Sequence, residues 1–405
     1  MGAGSLSPAP DSAPPAARFV PFAYGFRPFF LAAGWYALIA IAVWASLYNL
    51  GISPFGSLPS YLWHGHEMLF GFVTAAIAGF MLTAVPSWTG GRGFAGWPLV
   101  VLTMVWLAGR LAIGAAGWIP LPVLAIVELA FLPALAVTLA PSLLRTPNRN
   151  RPLLLVLLVL WATDVTFVYA IKNGDAVLAG TALRTALNIV LLLITVIGGR
   201  IVPSFTSSAL RKRGIDADVR VRSGVERLVI GGMIALVAAD LIAPRHWVTA
   251  SIAAAVAAVH AWRMLGWQGS RTTGEPIVWV LHVAYVWLPI GLALKAVHLL
   301  TAAGWAAHWM HALSVGAAAT MILAVTTRAA LGHTGRPLTV GRSIAVSYVL
   351  LVAATTVRVF GPALLPFSYH WTVGVASLLW IAAFLIFAVK YTPILIGPRS
   401  DGKPG

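Results

Sequence analysis

Residues 63–90 read WHGHEMLFGFVTAAIAGFMLTAVPSWTG, with two histidines and a glutamate at the head of a run that is otherwise almost pure hydrocarbon. A hydrocarbon core of roughly 30 Å takes about 20 apolar residues of helix, and the stretch 65–86 is long enough to cross it. Ionisable side chains at membrane depth are costly and rare. His64, His66 and Glu67 therefore mark a site as well as a span.

Stretches of the same kind recur along the chain. They predict twelve spans, near 29–50, 65–86, 97–117, 120–140, 152–171, 177–199, 226–243, 246–265, 276–300, 308–330, 342–360 and 368–390. The chain has 405 residues, 60% of them hydrophobic and 9% charged, whereas soluble domains carry about 25% charged residues. The expected fold is an all-α polytopic membrane protein, one transmembrane helical domain over 18–395. Residues 1–17, rich in Pro, Ala and Ser, have no apolar run after a basic start, so they read as a disordered tail rather than a targeting segment. Residues 396–405 form a second tail, and a basic loop is expected at about 200–226.

The net charge of +16 invites a nucleic-acid reading. Its distribution argues otherwise. With the N-terminus inside, all of the 27 Lys and Arg residues except Arg110, Lys172, Arg184, Arg245, Lys295 and Arg358 fall on the inner side. This is the positive-inside bias, and it predicts both termini in the cytoplasm and no nucleic-acid partner. The absence of cysteine excludes disulfides, Cys-ligated iron–sulfur clusters, blue-copper thiolates and covalent c-type haem.

The loop after residue 200 divides the chain into six spans and six, a layout common in transporters. A second pattern divides it into three. Spans two, six and ten end in MLTAVPSWTGGR, LITVIGGR and MILAVTTR, and HEMLFG in span two resembles HALSVG in span ten. Three units of four helices would follow, although small residues that let helices pack in lipid could produce the same likeness.

The ten histidines sort by depth. His64, His66 and His311 fall at the outer ends of spans two and ten, with His298 and His308 nearby. His246 and His370 sit beside aromatics and read as interfacial polarity. His260, His282 and His333 fall toward the inner side, His282 about two turns deep among aromatics. Imidazole suits iron, copper and zinc. His64 and His66 lie about 200° apart on a regular helix, so they share one metal only if the chain turns at Gly65. Glu67 could orient an imidazole or deliver protons. The other intramembrane carboxylates are Glu128, Asp164 and Asp240, with Arg110, Arg184, Lys295 and Arg358 as candidate counter-charges.

The segments FRPFFLAAGWYAL, WHGHEMLFGFVTAAIAGFMLTAVPSWTG, VIGGRIVPSFT, WVLHVAYVWLPIGL and GHTGRPL resemble those of the NnrS family of bacterial inner-membrane proteins, from Phe26 to beyond Leu338. The resemblance implies a multi-pass protein of the inner membrane that contains haem and copper and is linked to denitrification and resistance to nitric oxide. Without cysteine the haem would be a non-covalent b-type. On depth and spacing, His64, His66 and His311 are the expected copper ligands with Glu67 beside them as the catalytic group. His282, with His260 or His333, is the expected haem ligand. The reverse placement stays open. So does an adjacent haem–copper pair, although no H-x-x-x-H-H-like cluster is present. Nitric oxide would be bound, detoxified or reduced, the last making the protein a redox enzyme; no electron-donor motif is readable. Two other classes fit the same residues: a proton- or metal-coupled transporter, and a haem or copper chaperone or sensor.

Overall fold

The computed structural model describes residues 19–53, 55, 59–145, 147–364 and 369–403. The expected tail over 1–17 lies outside the described residues. Within them the chain forms twelve helical rods and no strand. These are α1 (Phe26–Leu50), α2 (Ser60–Thr89), α3 (Trp97–Gly114), α4 (Leu121–Leu144), α5 (Pro152–Lys172) and α6 (Ala176–Lys212). They continue as α7 (Ser223–Ile242), α8 (Trp247–Leu265), α9 (Pro276–Thr301), α10 (Gly304–His333), α11 (Arg342–Leu364) and α12 (Tyr369–Ile396). Eleven are long and apolar enough to cross a membrane. The twelfth, α7, carries Glu226, Arg227 and Asp240 and stands outside that set.

Every predicted span corresponds to a rod. The largest difference is at α6, which runs on to Lys212 and shortens the expected loop to 213–222. Val202, Thr206 and Leu210 recur at four-residue spacing and are buried, so this extension keeps a packed helical face beyond the apolar run.

The two described ends of the chain meet. Arg27, buried at the start of α1, donates from Nη1 to the carbonyls of Leu395 (2.9 Å) and Gly397 (2.6 Å), which are left without partners where α12 ends. Trp380 Nε1 on α12 donates to Ala37 O at 2.8 Å, sealing α1 against α12. The segment after α12 is also held: Arg399 donates to His333 O at 2.7 Å, and the Ser400 amide to Thr334 O at 3.0 Å. An even number of rods thus leaves both described ends on one side of the bundle.

The central helices are α2, α6, α9 and α10, with two thirds or more of their most apolar stretch buried, against half or less in the other candidate spans. Two of them share an irregularity. In α2 the α-helix gives way to a π-helical segment at Glu67–Val73, immediately after His66. In α10 the same change occurs at Ala312–Ala319, immediately after His311. Each segment ends at a threonine that bonds back into it, Thr74 to Phe70 O and Thr320 to Val315 O (3.1 Å). Each also has a glycine five residues after its histidine, pressed by an aromatic ring of a neighbouring helix. Tyr36 lies against Gly71, and Trp287 against Gly316, where a Cβ would fall 2.5 Å from the ring. The likeness read between spans two and ten is thus a likeness of backbone as well as sequence.

Candidate functional site

The helix that opens α2 is continuous from Ser60 to His66, so the chain does not turn at Gly65. His64 and His66 consequently leave α2 on opposite sides, and two separate sites result.

On the first side a cavity of about 530 Å³ lies between α1, α2, α6, α10, α11 and α12, within the range of small-molecule sites. His64 and His311 both line it. The His64 ring stacks on Trp44 at 4.2 Å between centroids, and its Nδ1 is buried without a hydrogen-bond partner. Three cations, Arg184, Arg245 and Arg358, also reach the cavity. Arg358 Nη2 donates to Tyr369 Oη at 3.0 Å, while its Nη1 is buried with no partner. A buried guanidinium nitrogen without an acceptor is costly, and a cavity beside it is where an anionic group would satisfy it.

On the second side His66 enters a fully buried ionisable cluster between α2, α3, α4 and α5. Its Nδ1 lies 2.8 Å from Glu67 Oε1, and its Nε2 lies 3.0 Å from Asp164 Oδ1 and 3.5 Å from Glu128 Oε1. Arg110 donates to Glu67 Oε1 at 2.7 Å and also pairs with Glu128. Glu128 is presented by a break in α4, where Leu129 and Ala130 interrupt the helix. Phe167 stacks on the His66 ring at 4.5 Å and fixes its plane.

The expected trio of His64, His66 and His311 is therefore not assembled: His64 and His311 share the cavity, and His66 faces the carboxylates. Glu67 lies in the second site, bonded to His66 and Arg110.

The inner histidines are likewise divided. His282 Nε2 is 2.8 Å from Thr206 Oγ1, and its ring packs so tightly on the backbone that a Cβ at Gly269 would fall 2.6 Å from Nδ1. Its Nε2 is thus taken by Thr206. His260 Nδ1 is 2.9 Å from Tyr285 Oη, which also accepts from Arg263 at 2.5 Å. His333 is elsewhere, its ring stacked on Tyr24 just before α1. Among the remaining charges, Lys295 pairs with Asp240, which also accepts from Asn188 at 2.7 Å. That pair reads as a structural ion pair.

Sequence reasoning had marked each of these carboxylates and cations as scarce, but not how they pair. What it missed was Arg358 as a cavity group and the π-helical register after each histidine. The shared HxxxxG spacing of HEMLFG and HALSVG was the one signal of the latter.

The architecture is that of a polytopic helical membrane protein with an imidazole-lined cavity and a buried ionisable cluster at the bundle end away from the chain termini. The chain belongs to the NnrS family: the family model described as NnrS protein matches residues 20–399. No curated protein matches the chain.

Proposed function

We propose that this protein binds haem and copper in a bacterial inner membrane, with both termini cytoplasmic, and handles nitric oxide in denitrification or under nitrosative stress. Membership of the NnrS family supports the haem, metal and nitric-oxide association at the level of the family. The observation that carries the site reading is the cavity of about 530 Å³ lined by His64 and His311 beside the unpartnered Nη1 of Arg358.

The residues fit a non-covalent haem. Two imidazoles on α2 and α10 are the donors, and no cysteine competes. A haem bound there would supply an iron centre able to exchange single electrons and, where one imidazole gives way, to take a diatomic ligand. His64 and His311 would hold the iron, and Trp44 keeps the His64 ring in plane. Arg358, with Arg184 and Arg245, would take the carboxylates of the macrocycle through charge-assisted bonds. Met68, Leu69, Phe72 and Trp380 give the cavity an apolar wall that keeps water from the centre. The alternative placement, His282 with His260 or His333, is less favoured here because His282 Nε2 is bonded to Thr206, although His260 Nε2 is buried without a partner.

The test is an absorbance spectrum with elemental analysis of the detergent-purified protein, followed by addition of nitric oxide. A Soret band that shifts with nitric oxide is the expected result. A colourless protein with stoichiometric folding would instead favour a transporter.

A further inference from the structure

We propose that His66, Glu128 and Asp164 form a binding site for one divalent first-row transition-metal ion, separate from the cavity, with copper(II) the ion their donors favour. The three donor atoms, His66 Nε2, Glu128 Oε1 and Asp164 Oδ1, lie within 4.8 Å of one another and all three residues are buried. Metal–donor bonds of about 2.0–2.2 Å require donors roughly 3 to 4 Å apart. The 3.0 and 3.5 Å separations from His66 Nε2 meet this.

One tautomer suits a metal here: with the proton on the His66 nitrogen that faces Glu67 Oε1 at 2.8 Å, an oxygen that also accepts from Arg110, Nε2 is free to ligate. Nε2 is then left with its lone pair directed at two further carboxylate oxygens. A cation between them resolves that opposition. A carboxylate bonded to the far nitrogen of a ligating histidine is also the arrangement that orients metal-bound imidazoles and raises their basicity. Glu67 is therefore a positioning residue acting through His66.

Charge points the same way. Glu67, Glu128 and Asp164 face a single guanidinium, Arg110, so with all three ionised and a neutral imidazole the cluster would carry two uncompensated negative charges at a depth where charge is expensive. Binding one divalent ion would let all three ionise and leave the cluster neutral. A second, independent observation concerns lone pairs. Glu67 and Glu128 are 0% and 1% exposed, and the Oε2 of each is buried without a partner. Ligation of Glu128 through both oxygens would use one of them. The mixed imidazole and carboxylate set excludes a soft-metal site and suits a borderline ion, and among divalent ions the affinity order peaks at copper. The backbone contributes too, since the π-helical segment starts at Glu67, directly after the ligand, as such segments commonly do at functional sites.

The experiment uses the full chain in detergent, stripped of metal and reloaded with copper(II) or zinc(II), with metal counted by elemental analysis. Copper is also read by electron paramagnetic resonance. One ion per chain is expected, with hyperfine coupling to a single imidazole nitrogen. His66→Ala should lose the ion, Asp164→Asn should weaken it at least tenfold, and Glu67→Gln should weaken it about 10–100-fold while altering the copper spectrum. The Soret band should be unchanged in Asp164→Asn and Glu67→Gln, so that failure of the haem reading and failure of this one are told apart. A monodisperse elution profile controls for folding. Full copper with an unchanged spectrum in His66→Ala would overturn the proposal. So would coupling to two or three imidazole nitrogens, which would move the ion to His64, His308 and His311, or absence of any bound ion in the unaltered protein.

Discussion

His66 and His311 each stand immediately before a π-helical segment of a central helix, yet they face different sites. His311 turns to the cavity, and His66 turns to Glu128 and Asp164. The cavity side of α2 is served instead by His64, one helical face away from His66. Two helices of matching backbone thus supply three imidazoles to two sites, and α2 is the wall between them.

His64→Ala and His311→Ala should each strip most of the haem from the purified protein, whereas His282→Ala should retain it. Arg358→Gln should keep the iron ligands but hold the macrocycle more weakly, seen as faster loss of haem to an apo-globin acceptor. Soret absorbance per chain reads all four. Full haem in both His64→Ala and His311→Ala would remove the cavity from consideration.

Asp240→Asn should destabilise the protein by about 3–5 kcal/mol, because it leaves the buried Lys295 ammonium without its charge partner. The double variant Asp240→Asn with Lys295→Met should recover much of the loss. Thermal unfolding in detergent reports both, and the Soret band should not move.

Gly316→Ala should lower the thermal midpoint although alanine is the better helix former, because its Cβ would meet the Trp287 ring at 2.5 Å. Gly374→Ala, inside α12 with nothing within 4 Å, should leave the midpoint level or raise it slightly. Equal shifts would argue against close packing at Gly316.

The C-terminal segment should release in acid. Asp401 is bonded by Arg399 (2.6 and 2.8 Å), which lowers its pKa from 3.8 to about 2. Its contribution is therefore complete above the ordinary carboxylate value and lost as the pH falls from 3.8 toward 2. Asp401→Asn should loosen the segment at neutral pH. Carboxypeptidase trimming at neutral pH compares the two chains, and pulsed hydrogen exchange follows the acid transition.

Reporters should place both ends of the chain on the cytoplasmic side and the α3–α4 connection at Trp118 on the other. A periplasmic reporter active after the last residue would reverse the orientation inferred from the Lys and Arg bias.

The positions of the helical rods, eleven of them long and apolar enough to cross a membrane, the pairing of the described ends on one side and the scarcity of intramembrane charge were legible in the sequence, because each depends on local composition. A run of about 20 apolar residues in lipid has no option but helix, and every predicted span is a rod. The helical angle between His64 and His66 was legible too, and it already argued against a shared metal unless Gly65 broke the helix. What needed the tertiary structure was which side of α2 met which partner. Asp164 reaches His66 from a helix 98 residues on, and Arg110 from one 43 residues past Glu67. The close packing of each π-helical segment depends on rings from other helices, Tyr36 at Gly71 and Trp287 at Gly316. Local sequence sets which side chains are polar within the membrane. Only the packing of distant helices decides which of them share a site, because in lipid a polar group is held by whatever partner the bundle brings against it.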